Sequence, residues 1–167
     1  MIPASRATAP VLKEPALAQR DEFRQVAGIL GGTGVLHRKI SSALDAHRAI
    51  IDGMPGNTLR HLIANVRILH EAEFLQKALG ISVRTWQRRN DEPAKPLSQE
   101  LGSRAWKFAQ ILNKSSEIFG SQSAAEQWLI TPAIGLDQHR PIDLIATPAG
   151  VRLVEDLLER MDYGVYA

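Results

Sequence analysis

Apolar residues recur at spacings of three and four through much of the chain from about residue 58 onward. This spacing places them on one face of an α-helix, whereas a half-buried strand alternates apolar and polar residues. The first two helices are expected to turn the following residues inward: Leu59, Leu62, Ile63, Val66 and Leu69, then Phe74, Leu75, Ala78 and Leu79. Because no segment alternates as a strand does, the pattern predicts an all-α protein.

Start and stop signals divide the middle of this pattern. Gly80 ends the second helix, since glycine readily takes the positive φ of a helix C-terminus. Ser82 is a typical N-cap and predicts a third helix over residues 83–90. Pro93 and Pro96 then close this unit, which has the layout of a helix-turn-helix.

The C-terminal half predicts one long helix and several shorter ones. The long helix is expected over residues 98–119. Further helix starts are expected at Ser121 or Ser123, at Pro141 and at Thr147-Pro148. The last of these is a strong signal, because it combines an N-cap hydroxyl with proline at the first helical position.

The N-terminal part carries less pattern. Residues 1–20 hold three prolines among alanines and few large apolar side chains, which predicts a flexible tail. Four glycines lie within residues 28–34, but no phosphate-loop motif is completed, so a flexible connection or a helix terminator is expected there. After the tail we expect an all-helical domain over residues 21–97, with its helix-turn-helix at about 59–92, and a second small helical domain over residues 98–167.

Composition narrows the class of protein. Hydrophobic residues make up 44% and charged residues 23% of the chain, which suits a folded core with a polar surface. The absence of cysteine excludes disulfides and thiolate metal sites. No apolar run approaches the roughly 18 residues of a membrane span, and the N-terminus lacks the pattern of a signal peptide. A soluble cytoplasmic protein without membrane contact is expected.

Catalytic and metal-binding motifs are incomplete. His70-Glu71 begins like a zinc-protease motif, but Phe74 stands where the second histidine would be needed. No GxSxG nucleophile elbow occurs. The adjacent acids Glu155 and Asp156 point in different directions on a helix. We therefore expect no enzyme, no cofactor and no metal site.

Charge differs between two regions, although the net charge is only +2. Residues 60–95 carry seven Lys/Arg and four Asp/Glu, a balance of +3. Residues 137–167 carry three Arg and six Asp/Glu, a balance of −3. A basic middle and an acidic end suit two different partners, although local scatter of charge explains differences of this size equally well.

The third predicted helix has residues suited to DNA. Trp86 is its expected inward anchor. The candidate DNA-binding residues are Ser82, Arg84, Gln87, Arg88 and Arg89. Arginine forks onto guanine, glutamine pairs with adenine, and serine or arginine contacts phosphate. Gln76 occupies a position where a small residue normally lets the two helices pack closely, so a plain helical hairpin with a solvated arginine face remains an alternative.

The order and spacing of several short motifs over residues 60–167 resemble the Xre/ParS-type antitoxins of RES–Xre toxin–antitoxin modules. The matching pieces are Gly80-Ile-Ser-x-Arg-Thr-x-x-Arg-Arg89, Leu97-Ser98, Ser103-Arg104, Ile118-Phe119-Gly120, Ala125-x-x-Trp128-Leu129-x-x-Pro132, Arg140-Pro141-x-Asp143-Leu144, Thr147-x-x-Gly150-x-x-x-Val154-x-x-Leu157-Leu158 and Tyr163-Gly164. The resemblance implies that residues 98–167 form a toxin-binding and dimerisation domain. It further implies a homodimer that neutralises a RES-domain toxin encoded nearby, which depletes NAD, and that binds operator DNA to repress its own promoter.

The end of the chain is the expected inhibitory element. A rigid last helix would deliver two tyrosines and the terminal carboxylate to a toxin cleft, and tyrosines supply contact area at low entropic cost. The candidate toxin-binding residues are Glu159, Asp162, Tyr163, Gly164, Val165, Tyr166 and Ala167. Two alternatives stay open: Tyr163 packs on its own helix while the tail frays, or the chain is a helix-turn-helix transcriptional regulator without a toxin partner.

Overall fold

A computed structural model describes residues 14–164, and over this range the regular structure is helical, as predicted. The α-helices are α1 (Glu14–Ile29), α2 (Gly32–Leu36), α3 (Ala43–Asp52), α4 (Gly56–Asn65), α5 (Ala72–Leu79), α6 (Val83–Asn90), α7 (Gln99–Phe119), α8 (Gln122–Leu129), α9 (Pro141–Leu144) and α10 (Pro148–Asp162). Short 3₁₀ helices span Arg67–His70 and Ile134–Leu136. One isolated β-bridge joins Ala133 to His139.

Hydroxyl caps begin the helices where the sequence predicts them. Ser98 Oγ accepts a hydrogen bond from the backbone N–H of Leu101, which begins α7. Ser121, rather than Ser123, caps α8 in the same way. Thr147 caps α10, and Pro148 follows at its first position. Because each cap satisfies a backbone N–H that the helix itself leaves free, these boundaries are set locally.

The single helix face expected over residues 59–69 is divided between two elements. Helix α4 ends at Asn65, and Val66 takes an extended conformation with φ −118° and ψ 108° before the 3₁₀ helix begins. A distant group stabilises the break, since Glu126 Oε2 on α8 accepts a hydrogen bond of 3.1 Å from the backbone N–H of Ile68. The inward residues of this segment are nevertheless buried as predicted.

The N-terminal region also differs from the expectation of a flexible tail over residues 1–20. Helix α1 begins at Glu14, so residues 14–20 are helical, and residues 15–20 are exposed. They continue a helix whose second half is fixed by packing, because Val26 and Ala27 are buried, as is Leu30 directly after the helix. Residues 1–13 of the expected tail lie outside the described residues.

The glycine-rich segment ends α1, as expected for a helix terminator. Gly31 has a φ of 104°, a conformation that side chains with a Cβ rarely adopt. A Cβ at this position would also lie 2.5 Å from Val35. Glycine is therefore needed here for a tight turn between α1 and α2.

Helix α7 is the centre of the fold. It packs against α1, α3, α5, α8 and α10, and its buried side chains include Phe108, Ile111 and Leu112. The buried apolar residues of the described chain form one cluster from α1 to α10. The large apolar side chains of α7 are therefore used within the chain. Within α7 no large apolar side chain is exposed.

Candidate functional site

The turn between α5 and α6 has the predicted helix-turn-helix layout. Gly80 ends α5 with a φ of 70° and ψ of 21°, the left-handed conformation typical of a helix C-terminus. Ser82 Oγ accepts a hydrogen bond of 3.1 Å from the backbone N–H of Thr85, and α6 begins at the next residue. Ile81 and Trp86 are half-buried and pack against the core.

Helix α6 presents its arginine face to solvent. Arg84, Gln87 and Arg88 are all exposed, and their spacing of three and four places them on one face. No residue of α6 is fully buried. Gln76 on α5 is also exposed, so its length does not have to fit between the helices.

Two of the candidate DNA-binding residues are already engaged within the chain. The Ser82 hydroxyl caps α6 and also donates to Thr85 Oγ1 at 3.1 Å. Arg89 is half-buried, and its Nη1 lies 3.5 Å from the carbonyl oxygen of Pro96. Arg84, Gln87 and Arg88 are thus the more accessible members of the set.

Arg60 on α4 holds the far end of α6 and was missed by the sequence analysis. Its Nε donates to Asn90 Oδ1 at 2.9 Å, and its Nη2 donates to the Asn90 carbonyl oxygen at 2.8 Å. The two residues are 30 positions apart, and nothing in the local sequence pairs them.

Arg104 on α7 contacts the helix-turn-helix at the C-terminal end of α5. Its Nη2 donates to the Lys77 carbonyl oxygen at 2.7 Å, and its Nε lies 3.4 Å from the Ala78 carbonyl oxygen. These carbonyls belong to the last turn of α5, where helix carbonyls lack intrahelical partners and where a cation is favoured. A Cβ at Gly80 would lie 2.8 Å from the Arg104 guanidinium, so this glycine also makes room for the contact.

An ion cluster joins α5 to α9. Arg140 Nε and Nη2 donate to the two carboxylate oxygens of Asp143 at 2.7 and 3.0 Å, and Nη2 also reaches Glu73 Oε1 at 2.5 Å. Lys77 bridges Glu73 and Asp143. The Arg140 guanidinium carbon lies 5.5 Å from the centroid of the Phe74 ring.

The cluster changes the acidity of its members. The hydrogen bonds from Arg140 lower the pKa of Asp143 to about 2 against the opposing effect of desolvation, and Lys77 adds to the lowering. The same guanidinium lowers the pKa of Glu73. The hydrogen bond to Asp143 raises the pKa of Lys77. Opposite charges thus stabilise each other at the junction of the helix-turn-helix and the C-terminal helices.

Helix α10 ends at an exposed acidic surface. Tyr163 is 83% exposed, which disfavours the alternative that it packs on its own helix. Glu159 and Gly164 are exposed as well, and Asp162 pairs with Lys114 of α7. The remaining candidates Val165, Tyr166 and Ala167 lie outside the described residues.

Gly150 is the residue that lets α10 pack against α9. It is buried in the first turn of α10, and a Cβ there would lie 1.8 Å from the carbonyl oxygen of Leu144. Because that oxygen belongs to the backbone, it cannot move aside as a flexible side chain can. The glycine of the Thr147-x-x-Gly150 motif thus has a packing role.

No group of three or more His, Asp or Glu side chains within residues 14–164 is arranged to hold a metal ion. No described helix is long and apolar enough to cross a membrane.

Comparisons with known proteins match this C-terminal region and most of the chain. The family model of the antitoxin Xre/MbcA/ParS C-terminal toxin-binding domain matches residues 116–164. A protein named Antitoxin Xre from Yersinia enterocolitica is 26% identical over 139 residues, which cover 81% of this chain and 93% of that protein. Another Antitoxin Xre, from Photorhabdus laumondii, is 26% identical over 126 residues, which cover 75% of this chain and 83% of that protein. The resemblance expected from the sequence motifs is confirmed, and these findings support an Xre-type antitoxin with a C-terminal toxin-binding domain.

Proposed function

We propose that the chain is a cytoplasmic antitoxin that binds a RES-type, NAD-depleting toxin encoded nearby and neutralises it by covering its active site. The observation that carries this proposal is the exposed end of α10 within the matched segment. Here a firmly packed helix delivers Glu159, Tyr163 and Gly164 to solvent. The protein acts by binding rather than by catalysis.

The packing of α10 makes its end a rigid support. Val154, Leu157 and Leu158 are buried against the core, while Leu153 and Tyr163 remain exposed. A helix fixed in this way loses little conformational freedom on binding, so contacts made by its free side favour association. Tyrosine is a frequent hot-spot residue because its ring combines a large apolar area with a polar tip.

The acidic character of this end suits a pocket that holds NAD. Pockets for the phosphates of NAD carry cationic groups, and carboxylates compete for such groups. Glu159 and Asp162 supply that charge. Helix 148–160 would then lie against the toxin, and residues 161–167 would enter or cover its cleft.

Operator binding is the second part of the proposal. Helix α6 offers Arg84, Gln87 and Arg88 on one exposed face, with Arg89 beside them. These side-chain types read base edges in the major groove or contact phosphates. The antitoxin would bind its operator as a homodimer, with or without the toxin, and repress its own module. The dimer contact is expected on the helices between residues 98 and 120, and light scattering at micromolar concentration measures whether the dimer forms.

Growth rescue tests the toxin part. The neighbouring toxin gene is expressed with the full-length chain or with a chain that lacks residues 163–167. Tyr163 contributes almost nothing to the core, so the shortened protein is expected to fold but to fail to protect the cells. If the full-length chain also fails to protect, the toxin part of the proposal is wrong. The exposed arginine face of α6 would then favour the second candidate function, a helix-turn-helix regulator without a toxin partner.

A further inference from the structure

A groove runs between α10 and the loop of residues 133–140, which we call the bridge loop. Apolar side chains of Leu136, Leu144 and Leu153 line it, and Tyr163 stands at its end. Its charged lining residues are Asp137, Asp156, Glu159 and Arg160, with His139 beside them. The groove lies within the segment that matches the toxin-binding domain family.

The bridge loop is held in one shape. The backbone N–H of Ala133 donates to the His139 carbonyl oxygen at 3.1 Å, and the ring Nδ1 of His139 lies 2.9 Å from the Leu136 carbonyl oxygen. Asp137 and Gln138 take φ values of 50° and 64°, which are uncommon for residues with a Cβ. Consecutive residues in this conformation persist only where the surroundings hold them, and such places are often binding sites.

Large apolar side chains are exposed in and beside the groove. Ile134 at the tip of the bridge loop is 79% exposed, and Leu153 on α10 is 54% exposed. Tyr163 continues the face of α10 that carries Leu153, since residues 153, 156, 160 and 163 follow helical spacing. Grouped apolar side chains on a polar-rimmed surface are typical of a protein interface.

The charges around the groove favour a cationic occupant. Within the described part of the chain, Asp137 and Glu159 form no salt bridge. Asp156 has only an exposed contact of 3.9 Å with Arg152, one helical turn away, and contacts of this kind contribute little. Three carboxylates thus face one arginine in the lining, and the groove is acidic.

We propose that this groove receives a segment of the toxin that carries Lys or Arg together with apolar side chains, so that the bridge loop forms a second contact beside the chain end. This inference rests on the proposed function. The apolar floor takes the apolar side chains of that segment, Ile134 packs against its outer side, and the carboxylates pair with its cations. The chain end then blocks the active site while the groove supplies affinity.

The test is binding of the full-length chain to the protein encoded by the neighbouring toxin gene, with its catalytic activity removed by mutation. Ile134→Asp is expected to weaken binding by at least about tenfold, because it places a charge within the apolar contact on the outer side of the bound segment. The matched control is Ile51→Asp on α3, where the isoleucine is 50% exposed and distant in sequence from the groove. This control is expected to bind as the wild type does, and circular dichroism checks that both variants are folded.

A second pair of variants tests the charges. Asp137→Asn combined with Asp156→Asn removes two groove carboxylates, and asparagine tolerates the positive φ at position 137. Asp91→Asn combined with Glu92→Gln removes the same total charge elsewhere. The groove variant is expected to lose affinity at low salt and to approach the wild type as salt rises, since screening removes the same attraction. The control variant is expected to follow the wild type throughout.

The outcomes separate this inference from the function on which it rests. If the wild-type chain binds the toxin and both groove variants bind equally well, the groove is not the contact, while the antitoxin function stands. Absence of wild-type binding overturns the proposed function and the groove contact with it. If the groove and control variants lose affinity equally, the loss comes from net charge or from folding rather than from the groove. That result would overturn the inference.

Discussion

The helix-turn-helix and the C-terminal helix differ in what holds them. Helix α6 has eight residues, none of them fully buried, and depends on Arg60 of α4 while Arg104 of α7 fixes the turn before it. Helix α10 has fifteen residues with a threonine cap, a proline at its first position and a buried apolar face. Helix α6 therefore depends on contacts from other helices, whereas α10 is stabilised by its own capping residues and by its packing against the core. Changes in distant helices should disturb α6 before they disturb α10.

The largest expected effect on stability comes from a substitution at the contact between α10 and α9. Gly150→Ala places a Cβ against the backbone of α9 and should lower the free energy of unfolding by about 3 kcal/mol, the upper part of the usual range for overpacking. Thermal and urea unfolding measure it. Gly102→Ala is the matched control, because that buried helical glycine has its nearest foreign atom 3.8 Å from the added Cβ. Similar losses in both variants would show that helix propensity or burial, rather than the contact with Leu144, matters.

The next effect tests whether α6 depends on the C-terminal half. Arg104→Ala removes the hydrogen bonds to the last carbonyls of α5 and should cost about 2 kcal/mol, as expected for bonds from a charged donor. Operator binding should fall further than toxin binding. Lys107→Ala is the control, since this residue of the same helix pairs with Glu155 of α10 at 2.8 Å. If the Arg104→Ala variant binds the operator as the wild type does, α6 does not depend on this contact with the C-terminal half.

Two substitutions on α6 separate base reading from phosphate contact. Arg84→Ala should weaken operator binding by about tenfold and relax the sequence preference, as expected for loss of one bidentate contact to guanine. Arg89→Ala should weaken binding to all sequences and flatten its salt dependence. Titrations against operator and unrelated DNA at several salt concentrations distinguish the two patterns. If both variants repress normally, α6 has a structural role and does not contact the operator.

The smallest expected effect is a pH dependence of the junction between the two regions. The folded pKa of Asp143 is about 2, below its usual 3.8, so its contribution to stability is present above about pH 4 and is lost as the pH falls towards 2. Because the cluster is partly exposed, this contribution should be below about 1 kcal/mol. Asp143→Asn should flatten this part of the stability profile in acid unfolding experiments. If the stability of the variant follows that of the wild type at every pH, the cluster does not cause this pH dependence.

The sequence predicts local features of this fold well and distant contacts poorly. Ser82, Ser98 and Thr147 cap helices because each hydroxyl bonds a backbone N–H three residues later. The break after α4 depends on Glu126, which is 58 positions from Ile68. No periodicity reveals such a partner.

At the candidate functional sites too, the sequence predicts local features but not distant contacts. Exposure of Arg84, Gln87 and Arg88 follows from helical spacing, and the sequence predicts it. The link from Arg140 to Glu73 spans 67 positions, so the motif that contains Arg140 could be recognised while its partner could not. The bridge loop was also missed, because its shape comes from two residues at positive φ that are not glycine.

NAD turnover by the purified toxin tests the central claim most directly. Increasing amounts of the full-length chain, or of the chain without residues 163–167, are added to a fixed amount of toxin, and remaining activity and complex formation are both measured. We predict that the full-length chain abolishes turnover at a defined stoichiometry, whereas the shortened chain still binds through α10 and leaves the toxin active. Complete inhibition by the folded, shortened chain would contradict the claim that the end of this protein covers the active site.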